Sequence, residues 1–247
     1  MKRQERMGDR TQSWLNALIA GVGDFENGSP STALFAPILP IEAERQTWYL
    51  CALEEDFCHH VSCLALYEIE SVAVIPEHSS CLPRLFLGNI KTPHHLLDVI
   101  GGGVDVCTLP FVNECTDHGF AFDFTFGSSQ WDPDLDESHP LAFNMWSSSY
   151  ATDWSPLRDH CKCYTCTHHH RAYVQHLLST NEMLSWVLLQ LHNYHVMDAF
   201  FEAVRQSIGE GTFEGGKLAF SRRFDRDWPV KTGKGPRWVC TIFLALG

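Results

Sequence analysis

Short apolar runs alternate with longer amphipathic ones through the first half of the chain. A helix is predicted over residues 9–20, where Trp14 and Leu18 share one side at helical spacing. Further helices are predicted over residues 41–57 and from Pro93 to a run of three glycines. Buried strands are predicted at residues 34–39, 61–69, 84–88 and 104–109. This alternation is typical of parallel βα units.

The period of the pattern changes after residue 118. Residues 119–126 alternate with period two, which predicts a half-buried antiparallel strand. An acidic, solvated loop is predicted over residues 131–137. The tail from Gly211 is rich in Gly and Arg and predicts no definite element.

Two helices are predicted between that loop and the tail. The first covers residues 171–178, and the second begins near Met183 with a densely apolar run and stops at Gly209. Ser179-x-x-Glu182 matches a capping box for the start of the second helix. The apolar run at 186–189 and the pair Phe200–Phe201 exceed the needs of one local core, so part of that surface is expected to be interfacial.

Four βα units are too few to close an eight-stranded barrel. The chain is therefore predicted to be an α/β protein, either an open sheet or the second half of a barrel. Its 247 residues, 45% of them hydrophobic, are enough for a substantial core.

Composition narrows the class of protein. The polar start and the lack of a 20-residue apolar stretch predict neither a secretory signal nor a membrane span. The ten cysteines are then expected to be reduced, in an intracellular and cytoplasmic protein. A net charge of −12 argues against autonomous, tight RNA binding, because phosphate recognition needs the opposite sign.

One cluster of residues has the composition of a metal site. Cys161, Cys163 and Cys166 fall on a short knuckle, and His192 follows on the second predicted helix. Three thiolates and one imidazole suit a structural, tetrahedral zinc site. We therefore predict one Zn2+ per chain, bound by these four residues. Loosely placed thiols, and fourth ligands among His168, His169, His170 and His195, are the alternatives.

Two other glycine-rich stretches carry weaker signals. Residues 211–218 nearly match a phosphate-binding loop, but Leu218 replaces the required hydroxyl and no strand precedes them. The glycines at 101–103 lack dinucleotide-binding spacing and are interpreted as a helix stop. Neither stretch predicts a nucleotide site.

Four segments together indicate a family. They are Arg84-Leu-Phe-Leu-Gly88, Gly103-Val-Asp105, Thr116-Asp-His-Gly119-Phe-Ala and the cysteine knuckle with His192-Asn193. In this combination the chain resembles the tRNA-guanine transglycosylases, zinc-bearing TIM-barrel enzymes that exchange guanine for a queuine-type base at the anticodon wobble position. The resemblance is specific over residues 84–209 and weak over 9–83.

The resemblance implies a (β/α)8 TIM-barrel type fold of which only the C-terminal half is expected here. It places the barrel units in residues 1–126, a zinc-binding helical subdomain in residues 127–209, and a poorly determined tail in residues 210–247.

The resemblance also implies a loss of catalysis. Counting from Gly103-Val-Asp105 puts Thr108 where catalytic members carry the nucleophilic aspartate, and a hydroxyl without a base is a poor nucleophile. Asn113–Glu114 stands where a Thr–Arg pair is expected. Leu39–Pro40 lacks the base-reading glutamine, and Tyr67 fills space that a glycine leaves open. Asp105 is expected to form a hydrogen bond at the end of a strand.

The branch that the chain resembles is the non-catalytic one. It implies a heterodimer with a catalytic queuine tRNA-ribosyltransferase subunit, in which tRNA is held mainly by the partner. An active stand-alone transglycosylase with an unrecognised nucleophile, and a truncated zinc-binding interaction module, are the two alternative hypotheses.

Overall fold

The computed structural model of the chain describes residues 2–22, 33–57, 59–127 and 138–236. It separates into two compact units. Unit one comprises residues 1–90 and 95–108, and unit two comprises residues 91–94 and 109–247.

Unit one is built on a parallel four-stranded sheet with the strand order β1-β2-β3-β4. Its strands are β1 Phe35–Ile38, β2 Cys63–Leu66, β3 Arg84–Phe86 and β4 Val106–Cys107. Its helices are α1 Lys2–Val22 and α2 Thr47–Glu55, and α3 Pro93–Gly101 begins in unit two and ends in unit one. All four predicted strands are present, which confirms the α/β class and the parallel βα units, although each strand is shorter than its apolar run.

Both faces of the sheet are buried where the sequence is continuously apolar. Every residue of β2 is buried, and Leu64 and Leu66 are wholly so. At the start of β3 and β4, the Asp105 carboxylate accepts a hydrogen bond from the backbone N–H of Arg84 at 2.8 Å. The Arg84 guanidinium in turn donates to the carbonyl oxygen of Gly103. The predicted strand-end bonding role of Asp105 is confirmed.

Unit two combines helices with a small antiparallel hairpin. Its elements are α4 Pro110–Asp117, β5 Phe120–Phe122, β6 Ala142–Asn144, α5 Tyr164–His168, α6 Arg171–Ser179, α7 Leu184–Gly209 and α8 Phe213–Arg223. The two predicted helices correspond to α6 and α7, and Gly209 ends α7 as predicted.

Three predictions in this unit were wrong. All three residues of β5 are buried, so the strand is not half-buried; α4 and α7 both pack against it. The capping box does not form, because the Ser179 hydroxyl donates back to the His176 carbonyl oxygen and Met183 caps α7 without a side-chain bond. The tail contains α8. The predicted acidic loop at 131–137 lies outside the described residues.

The apolar run of α7 is mostly core. Trp186, Leu188 and Leu189 are buried and pack on α6 residues, whereas Val187 is 49% exposed. Phe200 is buried in an aromatic cluster, and its neighbour Phe201 is half-buried. These residues therefore offer much less interfacial surface than the sequence predicted. Among the described residues, no helix is long and apolar enough to cross a membrane.

Candidate metal centre

The cysteine knuckle is shaped by a turn and a very short helix. His160 has a φ of 60°, a left-handed conformation that turns the chain just before Cys161. Cys163 is the N-cap of α5, where its sulfur accepts the backbone N–H of Cys166 at 3.3 Å. Buried Thr165 donates from its hydroxyl to the Leu188 carbonyl oxygen at 2.7 Å. That bond ties the knuckle to α7, which carries the fourth side chain.

The four predicted ligands converge on one point. The Nδ1 atom of His192 lies 3.8 Å from the Sγ of Cys161, 3.5 Å from that of Cys163 and 3.4 Å from that of Cys166. All four donor atoms lie within 4.8 Å of one another. A tetrahedral zinc with ordinary Zn–S and Zn–N bond lengths requires sulfur–nitrogen separations of about 3.6 Å. The four side chains can therefore hold one metal ion together.

The ring of His192 is held in the orientation that a ligand needs. Its side chain is fully buried, and Nε2 lies 2.8 Å from the carbonyl oxygen of Phe122. A carbonyl only accepts, so Nε2 carries the proton and Nδ1 presents its lone pair to the three sulfurs. This is the outer-shell arrangement that orients metal-ligating histidines.

Asn193, the next residue of α7, forms hydrogen bonds to β5, the strand that contains Phe122. Its Oδ1 accepts the backbone N–H of Phe122 at 2.9 Å. Its Nδ2 donates to the carbonyl oxygen of Phe120 and to the hydroxyl of Thr116, both at 2.9 Å. Because Asn193 is fully buried, its amide fixes the distance between α7, α4 and β5.

The thiols influence one another's charge. Contacts with the sulfurs of Cys163 and Cys166 lower the pKa of Cys161 far below its usual range. Contacts with Cys161 and Cys163 raise the pKa of Cys166. The cluster therefore favours one thiolate and opposes further negative charge, and a divalent cation would allow all three sulfurs to be deprotonated.

The family follows from comparison with known proteins. A family model described as queuine tRNA-ribosyltransferase matches residues 1–226. The chain belongs to this family.

Several curated proteins that the chain resembles share one name. The protein named queuine tRNA-ribosyltransferase accessory subunit 2 from Schizosaccharomyces pombe is 31% identical over 96% of this chain and 53% of its own length. Proteins of the same name from Drosophila grimshawi and Anopheles gambiae are 32% and 36% identical, over 61% and 51% of this chain and 37% and 28% of their own lengths. The chain spans about half the length of the S. pombe relative.

The four histidines that were alternative candidates for the fourth ligand lie outside the cluster. Exposed His168 has its Nδ1 beside the Thr167 hydroxyl and the Tyr164 carbonyl oxygen. His169 stacks on a tyrosine of α6. His170 is the N-cap of α6, whereas His168 is the last residue of α5 and His169 is the C-cap of that helix. His195 lines a shallow surface groove on α7 together with Val187. The metal-ligating group contains none of these four histidines.

The structure also shows where the other residues singled out in the sequence lie. Thr108 is exposed at the end of β4, and its hydroxyl donates weakly to the Phe86 carbonyl oxygen at 3.5 Å. Asn113 and Glu114 are exposed on α4. Most of the near-match to a phosphate loop, residues 213–218, falls inside helix α8, so this stretch does not form a phosphate-binding loop.

Sequence reasoning missed the groups that support the ligands. The Phe122 carbonyl leaves no trace in a sequence because every residue has one. Thr116 and Gly119 were noted only as part of a family segment. Thr116 receives the Asn193 amide, and Gly119 has a φ of 77° and lies against the indole of Trp146. A buried asparagine next to a ligand was the one available signal.

Proposed function

We propose that the chain is a non-catalytic, zinc-binding subunit of a queuine tRNA-ribosyltransferase complex, which exchanges guanine for queuine at the tRNA wobble position. The observation that carries this proposal is the similarity to a protein named accessory subunit 2 across 96% of the chain. The four-ligand geometry of the metal centre supports the zinc, and the strand-end chemistry supports the absence of catalysis.

One Zn2+ would be bound by Cys161, Cys163, Cys166 and His192. With no position left for water or substrate, such an ion is structural: it cross-links the knuckle to α7. The chain's own residues do the positioning, through the Phe122 carbonyl at the imidazole and through Thr165 at α5.

The end of β4 lacks the chemistry of base exchange. Displacement at ribose needs a carboxylate that can attack the anomeric carbon. At the position predicted for it, Thr108 offers a hydroxyl whose nearest hydrogen-bonding partner is a carbonyl oxygen, which cannot take a proton. The nearby Asp105 carboxylate is engaged by the backbone N–H of Arg84. Neither group serves as an activated nucleophile.

A catalytic member of the family is the proposed partner, contacted mainly through the zinc-bound helices. Trp154 is 78% exposed and Tyr164 is 54% exposed. Their rings lie 4.4 Å from that of His170 and 4.5 Å from that of His168. Exposed tryptophan and tyrosine that are pre-ordered by neighbouring rings are the side chains that dominate protein interfaces. This surface replaces the buried α7 run as the expected contact.

The partner would also hold most of the tRNA. The net charge of −12 opposes the approach of phosphates to this chain at long range. We further propose that the four parallel strands are the C-terminal half of a TIM-type barrel, in line with the parallel order β1-β2-β3-β4.

Zinc content tests the metal assignment. The purified chain should contain one zinc by mass spectrometry, and Cys163→Ser should lose it because three ligands leave a site that is much weaker. Cys51→Ser is the matched control, since Cys51 is exposed and outside the cluster. Full zinc occupancy in the Cys163→Ser variant would refute the ligand set.

Labelled guanine exchange into tRNA tests the non-catalytic role. The chain alone should show no exchange, and Thr108→Asp should not restore it, because a carboxylate without a pocket to orient the nucleoside gains little. Measurable exchange by the unmodified chain would favour the stand-alone transglycosylase instead.

Association with a catalytic family member tests the partner. The two chains should co-elute in sizing chromatography at moderate salt, and Trp154→Ala should weaken the complex about tenfold or more. Trp14→Ala is the matched control, because Trp14 is 65% exposed on α1. Separate elution, or equal weakening by both variants, would contradict the proposed surface.

A further inference from the structure

An extended segment follows α8 and lies beyond the residues matched by the family model, which end at Arg226. We call residues 227–236 the strap. It returns to the surface of unit two instead of leaving it, and two separate sets of contacts hold it there.

Trp228 is the first anchor of the strap. Its ring stacks on that of Phe122, with 5.2 Å between centroids and 18° between planes. It also lies 5.7 Å from the ring of Phe111. Its indole N–H donates to the Lys91 carbonyl oxygen at 2.8 Å. An indole held by both its apolar face and its polar edge keeps one orientation.

The second anchor is on the other strand of the hairpin. The Asn144 side-chain amide donates to the Val230 carbonyl oxygen at 2.8 Å and to the Thr232 hydroxyl at 2.9 Å. Gly233 lies so close to Trp146 that a Cβ there would overlap the indole. Because Asn144 belongs to β6, the strap is tied to both strands of the β5–β6 pair.

The hairpin depends on such support. β5 and β6 have three residues each, and within the described part of the chain they form a two-stranded sheet of their own. Two-stranded sheets of this size are marginal without packing. The ring that Trp228 covers belongs to Phe122, whose carbonyl oxygen accepts from His192 and whose N–H donates to Asn193. Loss of the Trp228 ring would therefore remove packing from the strand residue that carries this carbonyl.

We propose that the strap positions the Cys3His centre: Trp228 holds Phe122 in place, and the Phe122 carbonyl then orients the His192 imidazole. Trp228 is a positioning residue, since it contacts no ligand side chain itself. The inference rests on the proposed zinc assignment and gives residues beyond the family model's match a role at the metal.

Zinc release from the full-length chain to an excess of a chromogenic chelator tests the proposal. Trp228→Ala should release zinc about three- to tenfold faster, a smaller effect than loss of a group that bonds a ligand directly. Trp228→Phe should stay near the unmodified rate because a ring still stacks on Phe122. The cobalt-substituted Trp228→Ala variant should keep its tetrahedral thiolate absorption, since the four ligands are unchanged.

Two controls separate positioning from general loss of stability. Trp14→Ala makes the same substitution on α1 and should leave release unchanged. Phe220→Leu weakens the buried aromatic cluster of unit two without touching Phe122. Release rates that follow only the melting temperatures of Trp228→Ala and Phe220→Leu would overturn the proposal.

Hydrogen exchange at the Phe122 amide distinguishes this inference from the zinc assignment. Trp228→Ala should accelerate that exchange, whereas Trp14→Ala should not. If the chain binds zinc but Trp228→Ala changes neither the zinc release rate nor hydrogen exchange at the Phe122 amide, the role of the strap is refuted and the zinc assignment stands. A chain that binds no zinc would refute the metal assignment, and with it any role of the strap at the metal.

Discussion

Replacement of Asn193 by alanine should be among the most damaging single changes in unit two. The side chain is fully buried and makes three hydrogen bonds, to the Phe122 N–H, the Phe120 carbonyl oxygen and the Thr116 hydroxyl. Thr116 keeps a partner, because its own hydroxyl donates to the Val112 carbonyl oxygen at 2.7 Å. The two main-chain groups of β5 lose theirs.

The size of the loss in stability follows from the two main-chain groups of β5 that lose their partners. A buried donor or acceptor left without a partner costs about 1–3 kcal/mol. Two such groups, with the space left by the amide, lower the free energy of unfolding by about 4 kcal/mol. For a chain of this size each kcal/mol shifts the melting temperature by roughly 2–4 °C, so a decrease of roughly 8–16 °C is expected.

Thermal unfolding followed by far-ultraviolet circular dichroism measures the effect, with zinc content determined on the same samples. Asn113→Ala is the control: Asn113 is exposed and accepts from Gln190 and Tyr194 at 3.2 Å, so its loss should cost about 0.5 kcal/mol or less. If Asn193→Ala melts within about 2 °C of Asn113→Ala, the amide is not the structural clamp described above.

Three further outcomes are expected. Gly119→Ala should destabilise the chain by about 1–3 kcal/mol in urea unfolding, because its φ of 77° disfavours alanine and a Cβ would overlap Trp146; an unchanged midpoint would contradict this. Burial raises the pKa of the Cys107 thiol to about 11, so exposed Cys51 should react with a disulfide reagent well before Cys107. Equal rates would show that the surroundings of Cys107 open readily. Burial raises the pKa of Asp117, so the folded chain binds its proton more tightly than the unfolded chain and stability falls as pH rises through that pKa. Asp117→Asn should lessen this fall in melting temperature between about pH 4 and pH 7, and parallel curves for the two proteins would rule out the effect.

The cluster of three cysteines and one histidine was predictable because metal chemistry restricts the residues that can form a metal site. Few roles other than metal binding suit three cysteines at this spacing with a helix-borne histidine, and the structure brings the same four residues together. The strands of unit one were predictable for a similar reason. A strand buried on both faces must be apolar throughout, and β2 is.

Other features were decided by competition between partners. The Ser179 hydroxyl could cap α7 or bond back to the His176 carbonyl oxygen, and local spacing does not distinguish these outcomes. The alternation at 119–126 indicated one buried face, but all three residues of β5 are buried, and α4 and α7 both pack against the strand. A periodic pattern records which side chains are apolar, not how many neighbours surround them.

The sequence by itself determined the family, the cluster of four candidate ligands and the parallel βα pattern, because each depends on side-chain identity at fixed spacing. Only the tertiary structure decided that the Phe122 carbonyl orients His192, that Asn193 joins three elements, and that Trp228 stacks on Phe122. These contacts join residues far apart in the chain through main-chain groups or common aromatic rings. No residue type marks such a group in advance, because its role depends on which segments the fold brings next to it.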